Sequence, residues 1–117
     1  MPYVDGFIVA VPKDKLEAYE ALARTAAMVW KDHGALSYVE CIADDVPYGE
    51  RTSFPRAVQA GEDEVVVFSW ITYESRGKRD EVNARVMKDQ RLVHDMDKLS
   101  FDGKRMIYGG FRSFVEA

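Results

Sequence analysis

Val65-Val66-Val67-Phe68-Ser69-Trp70-Ile71-Thr72-Tyr73 is the stretch that decides the fold. β-branched and aromatic residues run through it almost without a break. Both alternating sets are largely apolar, with Val65, Val67 and Ile71 on one face and Val66, Phe68 and Trp70 on the other. A strand that half-faces water alternates apolar with polar residues, so this pattern marks a central strand covered on both faces. The chain's own helices can cover one face. A chain of 117 residues has little left for the other, and the pattern therefore implies a partner.

Upstream, Tyr3 to Val11 reads as a first strand that Pro12 ends. From Asp14 to His33 the residues Leu16, Tyr19, Leu22, Ala23, Ala26, Val29 and Trp30 recur at three- and four-residue intervals, which predicts a helix with one wide apolar face. Asp14 and Glu17 match a capping box, and Gly34 stands where a left-handed terminator is expected. Ala35 to Ala43 is the second strand, with Val39, Cys41 and Ala43 on one face and Tyr38, Glu40 and Ile42 on the other. The long connection to the central strand carries a turn at Asp45 to Gly49 and a short helix opened by Pro55. Downstream, Ser75 is an N-cap for a second helix to about Gln90, whose apolar face is the thin set Val82, Val86 and Met87. Leu92, Val93, Met96 and Leu99 hint at further helical turns. Lys104 to Phe114 is the last strand, and Gly109-Gly110 inside it predicts a bulge or a close approach of backbone or ligand.

The order β-α-β-β-α-β is the ferredoxin-like arrangement: one α+β domain over residues 1–117, a four-stranded antiparallel sheet with both helices on one face. Two such sheets packed face to face would form a homodimeric α+β barrel and bury the second face. Apolar residues at 47% and charged residues at 31% describe an ordinary globular chain. A net charge of −4 argues against a broad nucleic-acid surface. The single cysteine, Cys41, sits in an apolar strand and reads as a reduced, buried thiol, which fits a cytoplasmic protein. Met1 to Asp5 lacks a basic and apolar leader, and no apolar run reaches membrane-spanning length, so neither export nor a membrane is expected.

A family resemblance follows from particular segments. These are Tyr3-Val4-Asp5-Gly6-Phe7, Val11-Pro12-Lys13, His33-Gly34-Ala35-Leu36, Val39-Glu40-Cys41, Asp44-Asp45-Val46-Pro47, Val67-Phe68-Ser69-Trp70-Ile71 and Phe101-Asp102-Gly103-Lys104-Arg105-Met106-Ile107-Tyr108-Gly109-Gly110-Phe111. Together they resemble the bacterial domain-of-unknown-function family 1428. That family is similar to the dimeric α+β-barrel superfamily, which implies the fold reached above and carries no activity with it. Such barrels often keep a cavity between helices and sheet, and some relatives in the superfamily use it for oxygenase chemistry without a metal or prosthetic group.

Phosphate loops, nucleophile elbows and metal-ligand spacings are missing from the sequence, so no cofactor and no metal is expected. His33, at the end of the first helix, reads as a cation favoured by the helix dipole, with a catalytic base as the alternative. His94 lies in a polar stretch and reads as exposed. Asp5, Glu40 and Arg105 are charges placed within strands, and a buried ion demands a partner. The structural expectation is that Arg105 pairs with Asp5 or Glu40; the functional one is that these groups line a pocket. Tyr19, Trp30, Trp70 and Tyr108 are amphipathic aromatics that read as core or as the wall of that pocket. Arg76, Lys78, Arg79, Arg85, Lys88 and Arg91 read as a solvated face, with Glu81 and Arg85 at ion-pair spacing.

The leading expectation is a small homodimer that binds a small molecule or has a structural role. The candidate pocket is Asp5, Tyr19, His33, Glu40, Trp70, Arg105 and Tyr108. The alternative is a cofactor-free, monooxygenase-like enzyme acting on a small aromatic or hydrophobic substrate, with Tyr19, Trp70 and Arg105 positioning it and Asp5, Glu40 or His33 accepting a proton. RNA binding ranks third.

Overall fold

The structure, a computed structural model, describes residues 2–92 and 100–117. Its elements are β1 (Tyr3–Pro12), a single 3-10 turn (Lys13–Lys15), α1 (Leu16–Asp32), β2 (Ser37–Ile42), α2 (Phe54–Ala57), β3 (Glu64–Tyr73), α3 (Arg76–Val86) and β4 (Ile107–Arg112). The four strands form one antiparallel sheet in the order β2-β3-β1-β4. This is the expected ferredoxin-like topology, with α2 added in the β2–β3 connection. His94 and the helical turns expected at Val93, Met96 and Leu99 lie outside the described residues.

β1 and β3 make the longest ladder, from Tyr3 opposite Tyr73 to Pro12 opposite Glu64. Strand alternation then sorts every side chain by parity. Phe7 stands opposite Ser69, Ser69 opposite Glu40, and Phe7 opposite Tyr108, so these four share the face on which the helices lie. There Val9, Val11 and Val67 pack with Leu16, Tyr19, Phe101 and Met106. Val29, Ile71, Tyr73, Val82, Val86 and Leu92 form a second cluster with Trp30 and Tyr38.

The other face is only partly covered. Val58 and Ala60, brought over by α2 and the turn after it, pack on Ala10, Val66 and Ile8 at one end. Elsewhere Phe68, Ile107 and Phe111 are exposed, the last by 64%. The expectation that both faces of β3 are covered thus holds for the helix side and one end of the opposite side within a single chain. Cys41 corrects another expectation: it is exposed, because its register partner is Phe68 and the parity it shares puts it on this open face.

Local chemistry explains the element ends. Asp14 and Glu17 do not form the expected capping box; α1 begins from the 3-10 turn without a side-chain cap. Lys13 N–H instead donates to Asp63 C=O at 2.8 Å, tying the turn to the start of β3. At its other end Gly34 takes a φ of +115°, with Gly34 N–H donating to Lys31 C=O at 3.2 Å and Ala35 N–H to Trp30 C=O at 3.0 Å. That pair of bonds is the Schellman closure a glycine permits. Ser75 Oγ accepts from Lys78 N–H at 3.1 Å, and Ser53 Oγ accepts from Arg56 N–H at 3.1 Å, capping α3 and α2. β4 contains no bulge, since Gly6 faces Gly109 and Asp5 faces Gly110 in continuous register. The close approach does occur: a Cβ on Gly110 would collide with Arg79 Nη2 and Tyr3 Oη.

Candidate functional site

Between the helices and the sheet lies a cavity of about 580 Å³. Its floor is Asp5, Phe7 and Val9 of β1, Ser69 and Ile71 of β3, Tyr38 and Glu40 of β2, and Tyr108 to Gly110 of β4. Tyr19, Leu22, Ala23, Ala26 and Trp30 of α1 face it, as do Arg79, Asn83, Val86 and Met87, and Leu92, Phe101 and Met106 also line it. The alanines matter here. At helical spacing on the apolar stripe of α1, Ala23 and Ala26 leave space that larger residues would fill.

Two polar clusters interrupt this apolar lining. In the first, Glu40 accepts from Tyr38 Oη on Oε2 at 2.6 Å and from Tyr19 Oη on Oε1. Burial, then the adjacent Glu40 carboxylate, pushes both phenols well above the ordinary tyrosine value, so both remain donors at neutral pH. In the second, Asp5 accepts from Tyr73 Oη at 2.9 Å and from Arg79 Nε at 3.1 Å. Burial and the Asp5 carboxylate likewise raise the Tyr73 phenol. Arg79 also donates to Asp80 at 2.8 Å and lies over the Tyr3 ring at 5.0 Å. Asn83 Oδ1 accepts from Trp30 Nε1 at 3.1 Å and so joins the two helices above the sheet.

Of the residues singled out in sequence, Asp5, Tyr19, Trp30, Glu40 and Tyr108 meet at the cavity. Trp70 does not. Its parity puts it on the opposite sheet face, edge-on to Phe68 with ring centroids 5.7 Å apart. His33 stands at the C-cap of α1 with Nε2 2.8 Å from Asp89 Oδ2, away from the cavity lining. The Arg91 guanidinium and His33 hold the Asp89 carboxyl well below the usual carboxylate range.

Arg105 does not pair with Asp5 or Glu40. It precedes β4 in a turn and grips Glu64 through Nη1 at 2.8 Å and Nη2 at 2.7 Å, with Asp102 at 3.0 Å. Its hydrogen bonds, with a bond from Gly61 N–H, bring the Glu64 carboxyl down to about 2.

The cation that does reach Asp5 is Arg79, which the sequence placed on a solvated face. A signal was present, because Arg79, Val82, Asn83 and Val86 lie at the i, i+3, i+4, i+7 positions of one stripe. Arg76, Arg85, Lys88 and Arg91 are exposed, as expected of that basic face. Arg85 pairs with Glu81 at 2.8 Å, Arg76 with Asp80 at 4.0 Å, and Arg91 with Asp89 and Asp32 at 2.8 Å each. Among the described residues no group of three or more His, Cys, Asp or Glu is placed to hold a metal ion. No described helix is long and apolar enough to cross a membrane.

A family model described as a protein of unknown function, DUF1428, matches residues 2–103. The chain belongs to the DUF1428 family. The resemblance drawn from its sequence segments therefore holds. This DUF1428 chain is 53% identical to the uncharacterized protein YbaA of Escherichia coli strain K12 over 116 residues, 99% of each chain. YbaA of Shigella flexneri matches over the same length with the same identity. Among solved structures the chain is similar to Rv0793 from Mycobacterium tuberculosis, with a TM-score of 0.62, 16% identity and coverage of 100% of this chain and 99% of that one. A Nitrosomonas europaea protein provisionally named an antibiotic biosynthesis monooxygenase matches at a TM-score of 0.61 and 13% identity, covering 96% of this chain and 89% of that one. A dimeric ferredoxin-like protein from an uncultured marine organism matches at 0.59 and 12% identity over 100% of both chains. At such identities the likeness is one of fold, and function must be argued from the site.

Proposed function

We propose that this DUF1428 protein binds a small, largely apolar molecule in the cavity between α1, α3 and the sheet, and does so as a homodimer joined through the open sheet faces. The observation that carries the first part is a cavity of about 580 Å³ walled mainly by aliphatic and aromatic side chains, into which a few polar groups converge. That combination of size and lining is typical of ligand sites. The second part is supported by Phe68, Ile107 and Phe111 exposed on one face of the sheet, and by a structural neighbour described as a dimeric ferredoxin-like protein. Calorimetric titration with methylnaphthalene, a neutral probe, tests the cavity. We expect saturable binding of one probe per chain, weakened at least about tenfold by Ala23→Phe, which fills the space from α1. Binding that Ala23→Phe leaves unchanged would place the probe elsewhere.

A second reading, a cofactor-free, monooxygenase-like enzyme acting on a small aromatic or hydrophobic substrate, is supported by one feature of the site. Glu40 is a carboxylate held in place by two tyrosyl donors at the cavity, where it could accept a proton from a bound substrate. The fold neighbour provisionally named a monooxygenase points the same way. The two readings separate on oxygen uptake with a hydroquinone probe. The enzyme reading expects a rate above the uncatalysed one that Glu40→Gln abolishes; the binding reading expects no increase.

A further inference from the structure

We propose that the cavity selects a protonated lipophilic amine and that Glu40 sets this preference, an inference that rests on the cavity being a ligand site. Among the described residues three charged side chains line the cavity: Asp5, Glu40 and Arg79. Asp5 and Arg79 neutralise one another at 3.1 Å. Among the described residues no Lys, Arg or His forms an ion pair with Glu40. Among the described residues the lining therefore carries one uncompensated negative charge.

Tyr19 and Tyr38 each donate to one Glu40 oxygen, which orients the carboxylate and stabilises it without cancelling its charge. A carboxylate has about four lone-pair sites, so two donors leave each oxygen free to accept again. Both phenols are driven upward by burial and by Glu40 itself, so neither surrenders its proton to the carboxylate at neutral pH. Among the described residues, Glu40 has no donor that also brings positive charge. An ammonium N–H supplies both.

The surroundings suit the rest of such a ligand. The Trp30 and Tyr38 rings lie 5.9 Å apart, and Tyr19 meets Phe101 edge to face at 5.7 Å. Ring faces of this kind attract a desolvated cation and accept the flat apolar body attached to it. A ligand carrying a carboxylate would instead meet the Glu40 charge at close range in an apolar chamber, where repulsion is poorly screened.

The test is a calorimetric comparison at neutral pH of three probes of one shape: naphthylmethylamine, naphthoate and methylnaphthalene. The native protein is expected to bind the amine at least about tenfold more tightly than naphthoate. Glu40→Gln should bring the two within about threefold. Tyr38→Phe, which removes one donor and keeps the anion, should retain the preference. This second variant keeps the inference exposed if Glu40→Gln perturbs the fold. Naphthoate binding as tightly as the amine, a preference that survives Glu40→Gln, or a preference lost in Tyr38→Phe would each overturn the selectivity. If methylnaphthalene binds and the amine gains nothing, the selectivity alone falls. If no probe binds, the ligand site falls with it.

Discussion

Asp5 is 7% exposed, and its carboxylate is held by one phenol and one guanidinium. Removing the guanidinium leaves a nearly buried charge with a single neutral donor, the circumstance in which breaking an ion pair is most damaging. Arg79→Ala should therefore destabilise the protein by about 3 kcal/mol in urea unfolding. A change below about 0.5 kcal/mol, the size usual for surface substitutions, would mean that Arg79 is the solvated residue its sequence setting implied. That setting misled because Asp80, Glu81 and Asp89 surround it in sequence, and local charge pattern reports only neighbours along the chain. The partner that matters is 74 residues away. The same limit explains Arg105, whose grip on Glu64 depends on how the turn before β4 is placed against the start of β3. Gly110 was the legible half of the Asp5 site. A glycine pair in a strand called for a close approach, and the approaching atoms belong to Arg79 and Tyr3.

Among elements, the ends are where sequence signals were most dependable and most easily overruled. Ser75 and Gly34 act as their types predict, because capping uses atoms within a few residues of each other. Asp14 and Glu17 do not, because Lys13 is drawn to Asp63 and the chain tightens into a 3-10 turn first. The junction between the start of β3 and the segment before β4 is held by Glu64 and Arg105, and it carries a pH signature. The folded Glu64 carboxyl lies at about 2 against an ordinary value of 4.5. A lowered pKa contributes stability that is complete above the ordinary value and is lost as pH falls towards the folded one. Unfolding free energy should thus decline between pH 4.5 and about 2, and Glu64→Gln should flatten that part of the curve in denaturant titrations across the acid range. An acid limb identical in the variant and the parent would remove Glu64 as its source.

For the whole molecule, the open sheet face is the feature with the largest consequence. Phe68 is 40% exposed near its middle, beside Phe54 and Trp70. If that face joins two chains, Phe68→Lys should yield a monomer by sedimentation velocity at micromolar concentration. The cavity, on the other side of the sheet, should keep its affinity for methylnaphthalene. A parent protein that sediments as a monomer would count against the homodimer directly. Element order, the apolar patterning of both faces of β3 and the family were legible along the chain, because strand alternation, helical spacing and caps are written in residues close together. The same local reading picks out Asp5, Tyr19, Trp30, Glu40 and Tyr108, since a charge or amphipathic ring within an apolar element is conspicuous wherever the element goes. Folding in three dimensions alone turns Trp70 and Cys41 away from the cavity, brings Arg79 rather than Arg105 to Asp5, and closes two tyrosines on Glu40. Those facts rest on register and on helix placement over the sheet, which join residues distant in sequence and leave no trace in the local pattern.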